Sequence, residues 1–252
     1  MYDEDDLSLL DADESLESPL DQMVAVDDPS VVAAQPDVEE MLQLMNAPEA
    51  PQRMLATRAF CELQEPRAVP YLIELLTDSC PLVRVSSAYA LGHNPSGTAV
   101  EPLIAQLESD WNGYVRKGVV WALGNCRDRR SLAPLIEALQ TEISAVRLWA
   151  ASSLGQMSEV DEESARAAIA PLAEALAHDA MPAVRSNSAW SLGQLCQALE
   201  KREFYTQAVD ALINALQDGD LGVQEDAKNA LLKLGDTRGV QVIEELEMEG
   251  LL

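Results

Sequence analysis

The side chains in this chain with the chemistry to do more than pack are few: four thiols and two imidazoles. Cys61, Cys80, Cys126 and Cys196 are scattered without a Cys-x-x-Cys pair, so neither a dithiol redox motif nor a structural zinc site is spelled out. Cys61, Cys126 and Cys196 fall near the ends of stretches that read as helices, where a free thiol serves most simply as a small apolar filler. Cys80, in "DSCPLV", is expected on an exposed turn and is the thiol placed for modification. His93 and His178 are too few for a histidine-rich metal site, and no metal or other cofactor is expected. The chain has no glycine loop to cradle phosphate, no Gly-x-Ser-x-Gly elbow and no nucleophile beside a recognisable base, so no catalytic residue is assigned.

Arginine follows a different logic, because it recurs at regular steps. Arg84, Arg116, Arg147 and Arg185 each follow a valine and open a common string: "VRVSSAYALG" (83–92), "VRKGVVWALG" (115–124), "VRLWAASSLG" (146–155) and "VRSNSAWSLG" (184–193), with a degenerate "VQEDAKNALL" (223–232). One cation per repeat argues for a structural ladder rather than an anion site. Each is expected to pair with an acid at the preceding turn: Asp78, Asp110, Glu142 and Asp179. Arg127, Arg129 and Arg130 crowd together in "CRDRRS", which reads as a solvated turn.

These strings imply the elements that carry them. Upstream of each lies a second repeated string, "VPYLIELLTD", "VEPLIAQLES", "LAPLIEALQT", "IAPLAEALAH" and "VDALINALQD", with apolar residues at helical spacing and a Pro, where present, suited to a first turn. Each unit is therefore two helices. From Leu72 to Leu103 to Leu135 the period is 31 and 32 residues, then 37 and 40 to Leu172 and Leu212, the excess lying in "SEVDEES" and "ALEKREFYT". Such a pair cannot bury its apolar face alone, and stacking creates one continuous core. The expected fold is an all-α, right-handed alpha-solenoid over residues 37–252, of about six helix pairs and a terminal half-repeat, behind a flexible acidic leader, residues 1–36.

The pattern Val-Arg-x-x-Ala-x-x-Ala-Leu-Gly, followed by a Pro-Leu-Ile helix, resembles the HEAT-like repeats of the phycobilisome-lyase type, over roughly residues 37–252. The resemblance implies the solenoid fold. For function it implies either a non-catalytic adaptor, including the cyanobacterial companions of A-type iron-sulfur carriers, or a bilin lyase-type protein that handles the chromophore of a phycobiliprotein. The partner it implies is thus a protein, an A-type iron-sulfur carrier or a phycobiliprotein. The di-iron hydroxylases built on such repeats use several His-Glu pairs. This chain has His93-Asn94 and His178-Asp179 instead, so that activity is not carried over.

On a helical wheel the residue before the repeat Arg and the third, sixth and seventh after it share an arc about 100° wide, the buried stripe. The fifth position lies opposite, so Tyr89, Trp121, Ser152 and Trp190 are expected to face away from the core. With the first and ninth positions they would floor a groove: Val85 and His93; Lys117 and Asn125; Leu148 and Gln156; Ser186 and Gln194. Arg58 holds the fifth position of a weaker first unit, and Trp149 borders the floor. Clustered exposed aromatics mark a binding face, so Arg58, Tyr89, His93, Lys117, Trp121, Asn125, Leu148, Trp149, Ser152, Trp190 and Gln194 form the expected partner-binding groove, with Trp121 and Trp190 dispensable for the fold.

Composition bounds the partner. A net charge of −26 argues against nucleic acid, which needs a basic track. No apolar run approaches the roughly 18 residues of a membrane span, and the acidic N-terminus lacks the apolar segment of a signal peptide, so a cytoplasmic protein is expected. Residues 1–52 hold fifteen acids and no Lys, Arg or His. With Leu7, Leu9, Leu10, Leu16 and Leu20 among those acids, the leader reads as a solubilising tail or as a tethered segment laid over the groove.

Overall fold

The computed structural model describes residues 36–200 and 203–251, and residues 37–252 form one compact unit. The expectations placed on the leader fall outside the described residues. The unit is all-α, and no strand occurs among the described residues. The first helices of the pairs are α1 (Val38–Leu44), α3 (Val69–Leu75), α5 (Val100–Ser109), α7 (Leu132–Thr141), α9 (Glu162–His178) and α11 (Glu203–Ala215). The second helices are α2 (Ala50–Ala59), α4 (Pro81–His93), α6 (Gly113–Asn125), α8 (Ser144–Gly155), α10 (Pro182–Ala198) and α12 (Leu221–Leu234), and α13 (Thr237–Glu249) follows as a further first-type helix.

The expected stripe is the core. Val83, Val115, Val146, Val184 and Val223 before the repeat Arg, and Leu91, Leu123, Leu154, Leu192 and Leu231 seven after it, are all fully buried. Each such side chain contributes about 1.5–3 kcal/mol by leaving water. The third and sixth positions are Ala, Ser or Val and are buried too. Small residues there let the second helices approach closely. A Cβ on Gly124 would lie 2.6 Å from Ser153 Oγ, one on Gly155 2.8 Å from Ser191 Oγ, and one on Gly193 2.9 Å from Ala230 Cβ. Ser153 and Ser191 donate across the seam to the Val120 and Ala151 carbonyls, at 3.1 and 2.8 Å. Second helices pack on one another throughout, whereas first helices meet closely only around α9 and α11, so the second-helix layer is the shorter, inner one.

The two insertions are absorbed largely as helix. Residues 156–159 form a 3₁₀ turn, α9 begins at Glu162 and α10 runs on to Ala198, so both helices reach 17 residues. Pro171 therefore sits inside α9 rather than in a first turn, the one place where the expected role of the repeat proline fails. Lacking an N–H, it leaves a carbonyl one turn earlier without its helical donor.

The arginine ladder exists, but it runs forward. Arg84 grips Asp110 of the following unit through Nε (2.7 Å) and Nη2 (3.0 Å), and Arg116 grips Glu142, Arg147 grips Asp179 and Arg185 grips Asp218 in the same two-pronged way. The preceding turn supplies a carbonyl instead: Nη1 donates to the oxygen of Asp78, Asp110, Glu142 and Asp179 respectively. Arg53 adds a rung that the repeat pattern does not announce, holding Asp78 at 2.6 Å. The nearer carboxylate is already engaged, since Asp78 accepts from Arg53 and from the Cys80 N–H two residues on (2.8 Å), closing the turn. Gln224, which replaces Arg in the last copy, keeps the carbonyl bond to Asp218 at 2.6 Å and lacks the ion pair.

A second, exposed ladder ties the loops between pairs. Arg67, Arg130 and Arg238 each bind the acid two residues before them, Glu65, Asp128 and Asp236, and reach back to Glu39, Glu101 and Asp210 of the preceding first helix. The basic turn is consumed in the same way, with Arg127 on Glu159 at 2.8 Å and Arg129 on Glu163 at 2.7 Å. Arg127 itself adopts a left-handed conformation, φ 48°, to leave α6.

Candidate partner-binding face

The fifth position after each repeat Arg lies opposite the buried stripe, and in the structure Arg58, Tyr89, Trp121 and Ser152 are half-buried there while Trp190 is 45% exposed. The aromatic members divide into two groups. Toward the N-terminal end Tyr89, Trp121 and His93 form one cluster, the Trp121 ring lying 5.6 Å from Tyr89 and 4.9 Å from His93 between centroids. Trp121 is seated on Gly92, where an added Cβ would fall 2.2 Å from its Cζ3. It is thus part wall, part filler. Partial burial holds the His93 pKa below its usual value, which favours the neutral imidazole at pH 7. His93 also borders a cleft of about 430 Å³ lined by Pro66, Val69, Pro70 and Pro95.

Toward the C-terminal end Trp190 stands in a shallow cleft between α10 and α12 with Gln194, Gln197, Asp226, Asn229 and Lys233. Here one indole offers an open face surrounded by amides and single charges, a combination that supplies apolar contact and hydrogen bonds together. Between the two groups lie Leu148, Trp149 and Ser152, all half-buried. Asn125 and Gln156 extend the polar rim, Asn125 accepting from Gln156 at 3.3 Å and donating to the Gly92 carbonyl at 3.2 Å.

Lys117 departs from the expectation of an open floor cation. It is 4% exposed, and its ammonium lies 5.5 Å from the centroid of the Trp149 ring on the neighbouring helix. In so closely packed a layer, a long cationic side chain lies along its neighbour and places its charge against a π face. Val85, another floor position, is also buried.

The thiols sit where small residues pack. Burial pushes the Cys61 and Cys196 thiols up to about 12 and raises Cys126 as well. Cys61 contacts the Thr57 and Ser86 carbonyls at 3.7 and 3.8 Å. Cys80 precedes the first residue of α4 and is half-buried, not fully exposed as its turn position suggested. Among the described residues no group of three or more His, Cys, Asp or Glu side chains is arranged to hold a metal ion, and no helix is long and apolar enough to cross a membrane.

Comparison with known proteins agrees with the repeat fold. The chain is 34% identical over 118 residues to the bilin biosynthesis protein RpcF of Synechococcus sp. (strain WH8020), a match spanning 46% of this chain and 56% of that relative. Among solved structures it resembles a designed armadillo repeat protein in complex with the peptide (KR)4, at TM-score 0.61 and 20% identity, over 79% of this chain and all of that one. It also resembles a chain of the Kap95p–RanGDP structure, at TM-score 0.60 and 18% identity, over 84% of this chain and 33% of that one. These two likenesses establish the fold alone. HEAT repeats match residues 38–100, 100–193 and 169–248, and the chain belongs to the HEAT-repeat family.

Proposed function

We propose that this protein is a non-catalytic scaffold that holds a segment of a partner protein along its second-helix layer. The observation that carries the reading is the row of fifth-position side chains turned away from the core, ending in the open indole of Trp190. An exposed tryptophan costs solvation in the free protein and returns it when a partner covers the ring, which is why such residues anchor interfaces. The peptide of the armadillo neighbour and the RanGDP of the Kap95p structure are precedents for polypeptide ligands on this architecture.

A second reading, chromophore handling of the bilin lyase type, is supported by the 34% identity to a bilin biosynthesis protein over about half of the chain. Aromatic side chains such as Trp121, Tyr89 and Trp149 would suit a tetrapyrrole, and half-buried Arg58 would be the floor cation for its propionates, Lys117 being buried against Trp149. Affinity capture from the source cell, with the absorption spectrum of the recovered complex, separates the readings. A colourless complex lost on Trp190→Ala supports the scaffold, and a small thiol-rich partner within it would identify an iron-sulfur carrier. A visible tetrapyrrole band that moves with the purified chain supports chromophore handling. Failure to recover any complex, with Trp190→Ala indistinguishable from the parent, would sink the proposal.

A further inference from the structure

We infer that a second face of the molecule, the edge formed by the turns between first and second helices, docks a partner segment that combines apolar and basic side chains. Exposed large apolar residues recur at this one place in successive units: Leu82, Trp111 with Tyr114, Ile143, Met181 and Leu221. Each lies within a few residues after a ladder carboxylate and before or beside the helix start that follows. Trp111 is 76% and Leu221 79% exposed. The units abut along this edge. The Ile143 side chain fills the space a Cβ on Gly113 would take, 2.5 Å from its Cδ1, and the Trp111 ring lies 5.9 Å from the Arg84 guanidinium of the unit before. A run of uncovered apolar side chains on a soluble chain marks an interaction surface.

Charge selects the occupant. Asp78, Asp110, Glu142, Asp179 and Asp218 are each gripped by an arginine, and Asp220, the further acid of these turns, caps α12 through the Gly222 and Val223 N–H groups, so most of the ridge's charge is neutralised. Beside it the first helices end, and their terminal carbonyls present the negative pole of each helix. The last turns of α3, α5, α7 and α11 contain no basic residue. Exposed Glu74, Glu108, Glu137 and Glu174 lie within the last five residues of α3, α5, α7 and α9, and among the described residues Glu74, Glu108 and Glu137 have no ion pair. Acids at that pole are unfavourable on their own and are relieved by cations brought from outside. A second copy of this chain would bring the same acids face to face, which leaves a basic, apolar segment as the fitting partner. The open faces of Trp111 and Tyr114 receive its Lys or Arg side chains as readily as its apolar ones.

The test uses the full chain and a labelled amphipathic helical peptide of Leu and Lys, with Leu/Glu and Lys/Ser peptides as comparisons, followed by fluorescence anisotropy at about 0.15 M salt. The Leu/Lys peptide is expected to bind more tightly than either comparison. Trp111→Ser/Tyr114→Ser/Ile143→Ser should weaken it about tenfold or more, and Glu74→Gln/Glu108→Gln/Glu137→Gln should weaken it by a smaller factor. Trp190→Ser, on the other face, should leave it unchanged. Trp111→Ser alone supplies the same readout if the triple variant loses its fold. Undiminished binding by the ridge variants, equal loss in Trp190→Ser, or equally tight binding of the Leu/Glu or Lys/Ser peptide overturns the inference. So does a dimer in sedimentation that the ridge variant dissolves, since the occupant is then a second copy.

Discussion

Trp121 and Trp190 hold the same repeat position in different surroundings. Trp190 is open, while Trp121 is wedged on Gly92 between Tyr89 and His93. Trp190→Ala is therefore expected to change folding stability by no more than about 0.5 kcal/mol and partner affinity by about 2 kcal/mol. Trp121→Ala should lower stability by about 2 kcal/mol, short of the 3–5 kcal/mol of a full core aromatic. Thermal unfolding beside a binding titration checks both, and equal stability losses would remove the distinction. The ladder makes a sharper residue-scale case. Arg84 and Asp110 are 9% and 1% exposed, and Arg84→Met, which strands a buried carboxylate, should cost about 3–5 kcal/mol. Burial alone would raise the Asp110 pKa, but hydrogen bonds from Arg84, the Asn112 N–H and Gln106 outweigh it, and the net displacement is downward. Asp78, Asp179 and Asp218 are displaced the same way. A carboxylate whose folded pKa lies below its unfolded one stabilises the fold at neutral pH and loses that contribution as pH falls past the unfolded pKa, about 4, toward the folded one. Below about pH 5 the melting temperature of the parent should therefore fall relative to that of Arg84→Met, the relief of surface repulsion being common to both.

At the scale of elements, the helix pairs and their buried stripe were legible because a 3.6-residue period and a fixed repeat leave little choice. Valine before the repeat Arg and leucine seven after it are buried in all five aligned copies. The forward direction of the ladder was not legible. Asp78 is six residues from Arg84 in sequence and Asp110 is 26, and only the stacking shows that the nearer carboxylate is engaged by Arg53. Nor could sequence spacing place Lys117, whose burial beside Trp149 depends on how closely adjacent second helices approach. The exposed apolar edge has its own sequence signal, an apolar residue between ladder acid and repeat valine in each unit. Close approach is itself testable. Gly124→Ala sets a methyl 2.6 Å from Ser153 Oγ and 3.1 Å from its Cα. Overpacking of about 1–3 kcal/mol should exceed the gain in helix propensity of about 1 kcal/mol, so the variant is expected to melt lower. A higher melting temperature would show that the seam relaxes.

For the whole molecule, net charge acts over the longest range. A chain of net charge −26 repels itself, while its strongest ion pairs, those of the forward ladder, are largely buried and poorly screened. Added salt should therefore raise the melting temperature between about 0.02 and 0.3 M, because it screens the exposed acids more than the buried forks. A falling melting temperature would mean that the exposed loop pairs of Arg67, Arg130 and Arg238 contribute more than surface pairs ordinarily do.

The forward reach of each arginine has an evolutionary corollary: the chain can be edited in length without orphaning a buried member of the ladder, the arginines lost being those of the exposed Glu101, Glu159 and Glu163. Excising Arg116 through Val146 joins Val115 to Arg147 and preserves the repeat frame. Arg84 still meets Asp110, Arg147 still meets Asp179, and the Asp110 carbonyl that served Arg116 is left for Arg147. The shortened chain should fold with every fork closed and unchanged helicity per residue, whereas a cut displaced by a few residues should not. A molecule built this way carries its splice sites in its salt bridges, and duplication or loss of a unit becomes a survivable copying error.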